Sequence, residues 1–86
     1  MLNHVKVNIY YDIGLQKITG KAEEPAIISE NLLFVYFLNF IFSSHPDITK
    51  KYPPGTLGFT INSMPPLDTY IMQDRDELKL MSFKKL

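Results

Sequence analysis

From His4 to Tyr10 the chain alternates, with Val5, Val7 and Ile9 on one face and Lys6 and Asn8 on the other. A period of two in β-branched residues predicts a half-buried strand. Tyr11-Asp12-Ile13-Gly14 breaks that pattern, and Thr19-Gly20-Lys21 has the composition of a second turn. Residues 11–21 are therefore expected to form a hairpin loop, with a helical twist at Leu15 to Ile18. Ala22 to Ile28 pairs back as a second strand. Pro25 has no N–H for a ladder, which predicts an edge strand or a bulge.

Ser29 is a candidate helix N-cap, with Glu30 in the first turn. From Asn31 to Phe42 nearly every position is apolar or aromatic. Leu33, Phe37, Phe40 and Ile41 share one helical face, and Phe34, Leu38 and Phe42 form another. A helix apolar on two sides is buried on both or meets a partner: core packing is the first reading, and Phe34, Leu38 or Phe42 as a partner anchor is the alternative. Of Tyr10 and Tyr11, one is expected in the core and the other at a surface. Ser43-Ser44-His45-Pro46 ends the helix, and Asp47 to Lys51 reads as one short turn. Leu57, Phe59 and Ile61 alternate within a third strand, Leu57 to Asn62. Asp74-Arg75-Asp76-Glu77 reads as a solvated polar turn feeding a last strand, Leu78 to Met81.

This order of strand, strand, helix, strand and strand predicts an α+β ubiquitin-like β-grasp roll. It has a mixed sheet of four to five strands and one main helix on one face. The terminal strand is expected beside the first, because a crossover between parallel strands is right-handed and packs on one sheet face. A length of 86 residues, 45% hydrophobic, fits a single domain over 1–86 with a short tail at 82–86.

Nine basic and nine acidic residues give a formal net charge of zero. That balance supplies no electrostatic pull towards nucleic acid or an anionic membrane, and it removes a barrier to self-association. The longest apolar run, Leu32 to Leu38, falls far short of the roughly 20 residues that span a bilayer. The N-terminus lacks a signal-peptide pattern, and there is no cysteine. A cytoplasmic location is the expectation.

Candidate chemistry is sparse. His4 and His45 are the only histidines, and neither has a histidine or cysteine at ligand spacing. Ser43, Ser44 and Ser63 lack a nucleophile context. Asp74, Asp76 and Glu77 lack the spacing of a calcium loop, and Gly55-Thr56-Leu57-Gly58 is too sparse for a phosphate loop. No catalytic, cofactor-binding or metal-binding residue is assigned, and the chain is not expected to be an enzyme.

Four segments, taken in order, resemble the small sulfur-carrier β-grasp proteins, namely the molybdopterin-synthase small subunit and its thiamine-pathway counterpart. They are the loop closing on Ile18-Thr19-Gly20, then His45-Pro46-Asp47-Ile48, then Phe59-Thr60-Ile61-Asn62, and last Leu67-Asp68-Thr69 with Asp74-Arg75-Asp76-Glu77-Leu78. The likeness runs over roughly residues 4 to 81. Arg75 stands where that family usually has glycine, which costs of order 1 kcal/mol if the position needs positive φ. No proline-containing arm follows the last strand. The family's terminal Gly-Gly, activated as an acyl-adenylate and converted to a thiocarboxylate, is replaced by Lys84-Lys85-Leu86.

The resemblance implies a docking module without carrier chemistry. Its partner would be a synthase large subunit or an adenylating enzyme, and its contact would include Phe59, Phe83, Lys84, Lys85 and Leu86. An active carrier with an unusual terminus and a self-associating structural domain are the rival readings.

Overall fold

A computed structural model of the protein describes residues 3–53 and 55–83. The elements run β1 (His4–Tyr11), α1 (Ile13–Thr19), β2 (Glu23–Ser29), α2 (Phe34–Ser44), α3 (Pro46–Lys51), β3 (Leu57–Ile61) and β4 (Glu77–Ser82). They form one four-stranded sheet in the order β2-β1-β4-β3. β1 pairs antiparallel with β2 and parallel with β4, and β3 closes the other edge antiparallel to β4. This is the β-grasp roll that the order of segments predicts.

Side-chain alternation sends one face of every strand to the helices. Val5, Val7, Ile9 and Tyr11 from β1, and Leu78 and Leu80 from β4, meet Phe34, Phe37 and Ile41 from α2. Ile28 from β2, Ile61 from β3, Leu15, Ile48, Tyr52 and Met72 complete the buried set. Fully burying a side chain such as Phe37 contributes roughly 2–3 kcal/mol.

The loop expected at 11–21 is largely helix. Asp12 accepts from Leu15 N–H at 2.9 Å and so caps α1, and Gly20, at φ 75°, ends it in the left-handed region that glycine enters without a Cβ penalty. Residues 47–51, expected as one turn, form α3 with Pro46 in its first turn.

The helix start expected at Ser29 is corrected. Ser29 is the last residue of β2, paired with His4, and Asn31 turns the chain at φ 68°. α2 begins at Phe34, and its N-cap, Leu33, makes no side-chain cap. A distant carbonyl takes over that role: Phe34 N–H donates to Tyr70 O at 2.7 Å. Met72 N–H donates to Leu32 O at 2.9 Å, so the segment before β4 holds the helix entry in place.

On α2 the core-packing reading holds for Phe34, Leu38 and Phe42, not the partner-anchor alternative. Phe34 is buried, and Leu38 and Phe42 are partly buried against the core. The aromatics that reach solvent are Tyr36, 59% exposed, and Phe40, 56% exposed. Of the tyrosine pair, Tyr11 is in the core and Tyr10 is half-buried on the opposite sheet face.

Candidate docking surface and chain exit

The two faces of the sheet differ in kind. Register places Lys6 beside Ile27, Tyr10 beside Lys79, and Gly58 beside Met81 on the face away from the helices. Tyr10 and Met81 are half-buried there, while Lys79 and Ile27 are exposed. Partial desolvation and the Glu23 and Glu77 carboxylates hold the Tyr10 phenol above its ordinary range. Tyr10, Lys79 and Met81, with Asp12, also edge a shallow depression of about 230 Å³.

At one end of this face the chain leaves β4, and it leaves clamped. Asp12 Oδ1 caps α1 while its Oδ2 accepts from Ser82 N–H at 2.7 Å and from the Ser82 hydroxyl at 2.8 Å. On the other side Phe83 N–H donates to Thr56 O at 2.6 Å. Partial burial opposes ionisation of Asp12. The bonds from the Ser82 and Leu15 amides and the Ser82 hydroxyl outweigh it, and the carboxyl lies below the ordinary aspartate range.

Phe83 is 55% exposed and its ring lies against Gly58. A Cβ at Gly58 would overlap that ring, so glycine there is what lets the aromatic lie on the strand.

The expected contact residues separate. Phe83 sits on the outer face at the exit. Phe59 does not, which corrects the expectation that it joins the same contact: β3 alternation turns it to the helix side. There it meets Phe34 edge-on at 5.9 Å between ring centroids and Phe42 at 6.4 Å. Lys84, Lys85 and Leu86 lie outside the described residues. Asp12, Thr56, Gly58 and Ser82 went unread at this exit. Of these only Asp12 carries a local signal, a cap residue three positions before Leu15.

The expected solvated turn at Asp74 to Glu77 is also corrected. Asp76 is 3% exposed. Its carboxylate accepts from Asn62 Nδ2 at 2.9 Å, from the Tyr70 hydroxyl at 2.8 Å and from Gln73 N–H at 2.7 Å. Burial and the Asp76 charge push the Tyr70 phenol up to about 12. Asp74 and Arg75 are exposed yet tie the turn to β1, through Lys6 N–H donating to Asp74 Oδ1 and Arg75 N–H donating to Lys6 O. Arg75 holds φ 68°, the strained conformation expected where the resembled family has glycine.

His45 faces a third cluster. Glu24 accepts from the Tyr11 hydroxyl at 2.7 Å and from Lys21 Nζ at 3.3 Å, and lies 3.1 Å from His45 Nε2. Desolvation opposes ionisation of Glu24, but these bonds prevail and its carboxyl is held low. Burial and the same contact push the Tyr11 phenol up. Among the described residues no group of three or more His, Cys, Asp or Glu could hold a metal ion, and no helix is long and apolar enough to cross a membrane.

No family model matches the chain, and no curated protein matches it in sequence. Solved structures do match in shape. The small archaeal modifier protein 1 of Haloferax volcanii superposes with a TM-score of 0.79 at 12% identity, covering 93% of this chain and 99% of that one. A protein from Pyrococcus furiosus described as molybdopterin converting factor subunit 1 gives 0.79 at 17%, covering 93% and 99%. A Caldiarchaeum subterraneum ubiquitin gives 0.65 at 19%, covering 96% and 98%. These neighbours are small modifier and converting-factor proteins, and the chain has the ubiquitin-like β-grasp fold that they share.

Proposed function

We propose that this protein is a cytoplasmic docking module of the sulfur-carrier β-grasp type, which engages a larger protein and performs no chemistry of its own. The observation that carries the reading is the doubly held exit. Asp12 and Thr56 fix the path of the chain as it leaves β4, beside an exposed Phe83 on the outer sheet face. An aromatic on a fixed backbone loses little freedom on binding, which suits an interface anchor. The likeness in fold to a molybdopterin converting factor subunit supports a partner of the synthase large-subunit or adenylating-enzyme kind. Residues 84–86 read Lys-Lys-Leu, and no Gly-Gly pair occurs in the sequence.

The test is capture from the native host with the C-terminus left free, using the wild type and Phe83→Asp. Recovery of such a partner by the wild type, and its loss with Phe83→Asp, is the expected result. Capture that is indifferent to Phe83 defeats the proposed contact. The carrier reading, which the same fold likeness favours, predicts a sulfur-for-oxygen mass increase at Leu86. An unmodified terminus in cells making molybdenum cofactor removes that reading.

A further inference from the structure

The two edges of the sheet are not equally protected. Hydrogen-bonded and non-hydrogen-bonded pairs alternate along an antiparallel ladder. On β2, Tyr11 N–H donates to Ala22 O and Glu30 N–H donates to Asn3 O. Residues 22, 24, 26, 28 and 30 therefore face β1, and residues 23, 25, 27 and 29 face outward. Pro25, with no N–H, stands in the middle of that outward row. It removes a donor from the edge without costing the β1 ladder a bond.

β3 has no such guard. Phe83 N–H donates to Thr56 O and Asn62 N–H donates to Glu77 O, so Thr56, Gly58, Thr60 and Asn62 face β4. Leu57, Phe59 and Ile61 face outward. Ile61 is satisfied by the turn at Met64, donating to its carbonyl at 2.8 Å and accepting from its N–H at 3.0 Å. Leu57 and Phe59 keep their N–H and C=O groups without a partner among the described residues. Beside them lies an open, almost wholly apolar groove of about 290 Å³, lined by Phe42, Thr49, Tyr52, Gly55, Leu57 and Phe59. The ammonium of Lys51 lies 5.9 Å from the Tyr52 ring centroid.

We infer that the β3 edge takes up an extended peptide of a partner protein as a fifth, antiparallel strand. Residues opposite Leu57 and Phe59 exchange two hydrogen bonds with each, and their side chains enter the groove. The residue between them lies beside Gly58 on the other face. The sequence rule is therefore apolar, any, apolar. The Tyr52 hydroxyl lies beside Ser82, the β4 partner of Leu57, so the Lys51 ammonium near the Tyr52 ring is at the Leu57 end. In an antiparallel peptide that end is C-terminal, so an acidic residue follows the second apolar one. Lys50 is already paired with Asp47, at 3.8 Å. This site is separate from the outer-face contact proposed above and stands without it.

The test is titration of the full chain with fluorescein-labelled Gly-Ser-Ile-Thr-Val-Asp-Glu-Gly, followed by anisotropy and by backbone amide spectra. The expected result is saturable binding, with the Leu57 and Phe59 amides shifting and becoming protected from exchange. Leu57→Pro repeats the device at Pro25 by deleting one outward donor, and weakens binding about fivefold or more. Lys51→Glu, a surface change that leaves the fold alone, weakens binding at least about threefold. Replacing the peptide's Asp-Glu with Lys-Lys has a similar effect. No binding at millimolar peptide overturns the inference, as do shifts confined to β2 or the outer face, or affinity indifferent to Lys51→Glu. Shifts of the β3 amides with protein concentration alone assign the edge to a second copy of the chain and overturn it too.

Discussion

β4 is bracketed by two aspartates that do opposite jobs. At its entry Asp76 is sealed from solvent and takes three hydrogen bonds from residues 62, 70 and 73. At its exit Asp12 is only half-buried, and divides its two oxygens between a helix cap and the last residue of the strand. Neither carboxylate is held by a cation within these clusters; neutral donors satisfy both. Such charge-assisted bonds are about twice as strong as neutral ones. The entry cluster fixes where the strand begins and so sets its register. The exit cluster fixes where the chain goes next and leaves it reachable. The proposed docking role calls for both, rigidity at one end and aimed access at the other.

The largest effect is expected at the sealed end. Asp76→Ala strands the Asn62 amide, the Tyr70 hydroxyl and the Gln73 N–H around a buried position. Its cost is about 3–4 kcal/mol, read as a lower midpoint of denaturant unfolding with an unchanged slope. A loss below about 1 kcal/mol would mean that water replaces the carboxylate freely, and the contrast between the ends would collapse.

A smaller loss belongs to the exit. Asp12→Ala removes a cap of about 1 kcal/mol and the two bonds to Ser82. The total is about 2 kcal/mol, because the site is partly open to water. The distinguishing readout is local: faster amide exchange at Ser82 and Phe83, with β1 and β4 unchanged. pH sharpens the contrast further. The folded-state carboxyls of Asp12 and Glu24 both lie below their ordinary values, so the unfolded chain binds protons more readily over that range. The stability they contribute is complete above about pH 5. It is lost as pH falls through their lowered folded values. Asp12→Asn is expected to flatten the acid limb of a stability-against-pH curve. An unchanged limb would show that the Ser82 bonds do not depend on the charge.

How much of this was legible depends on the range of each interaction. The alternation of Val5, Val7 and Ile9 against Lys6 and Asn8 gave β1 directly, and Pro25 marked an edge strand because its missing N–H is a local property. Asp76 read as a solvated turn because three of its four neighbours in sequence are charged. Its burial comes from Asn62 and Tyr70, which only the fold brings near. Ser29 carried a true cap composition, yet strand pairing with His4 took it, and the Tyr70 carbonyl satisfied the helix instead. Phe59 was legible as an inward strand residue from its alternation with Leu57 and Ile61, but its placement in the outer contact came from the resemblance alone. The exit clamp was the least legible part, since Asp12 and Ser82 are 70 residues apart.

The smallest effect tests the entry turn itself. Arg75 holds φ 68°, where a Cβ is strained, and its side chain is 93% exposed. The guanidinium lies 4.0 Å from Asp74, an exposed pair that contributes little. What the turn uses of this residue is its backbone, since Arg75 N–H donates to Lys6 O at 2.7 Å. Arg75→Gly keeps that donor and relieves the strain, at the cost of a more flexible unfolded chain. The net gain is expected at about 0.5–1 kcal/mol, measured by denaturant unfolding. A loss instead would show that the Asp76 cluster alone does not hold the turn in its left-handed conformation, and that the restricted backbone of arginine helps to keep it there. The entry would then be stiffened by residue choice as well as by buried hydrogen bonds. The exit depends on residue choice in a different way, because Gly58 is what leaves room for the Phe83 ring.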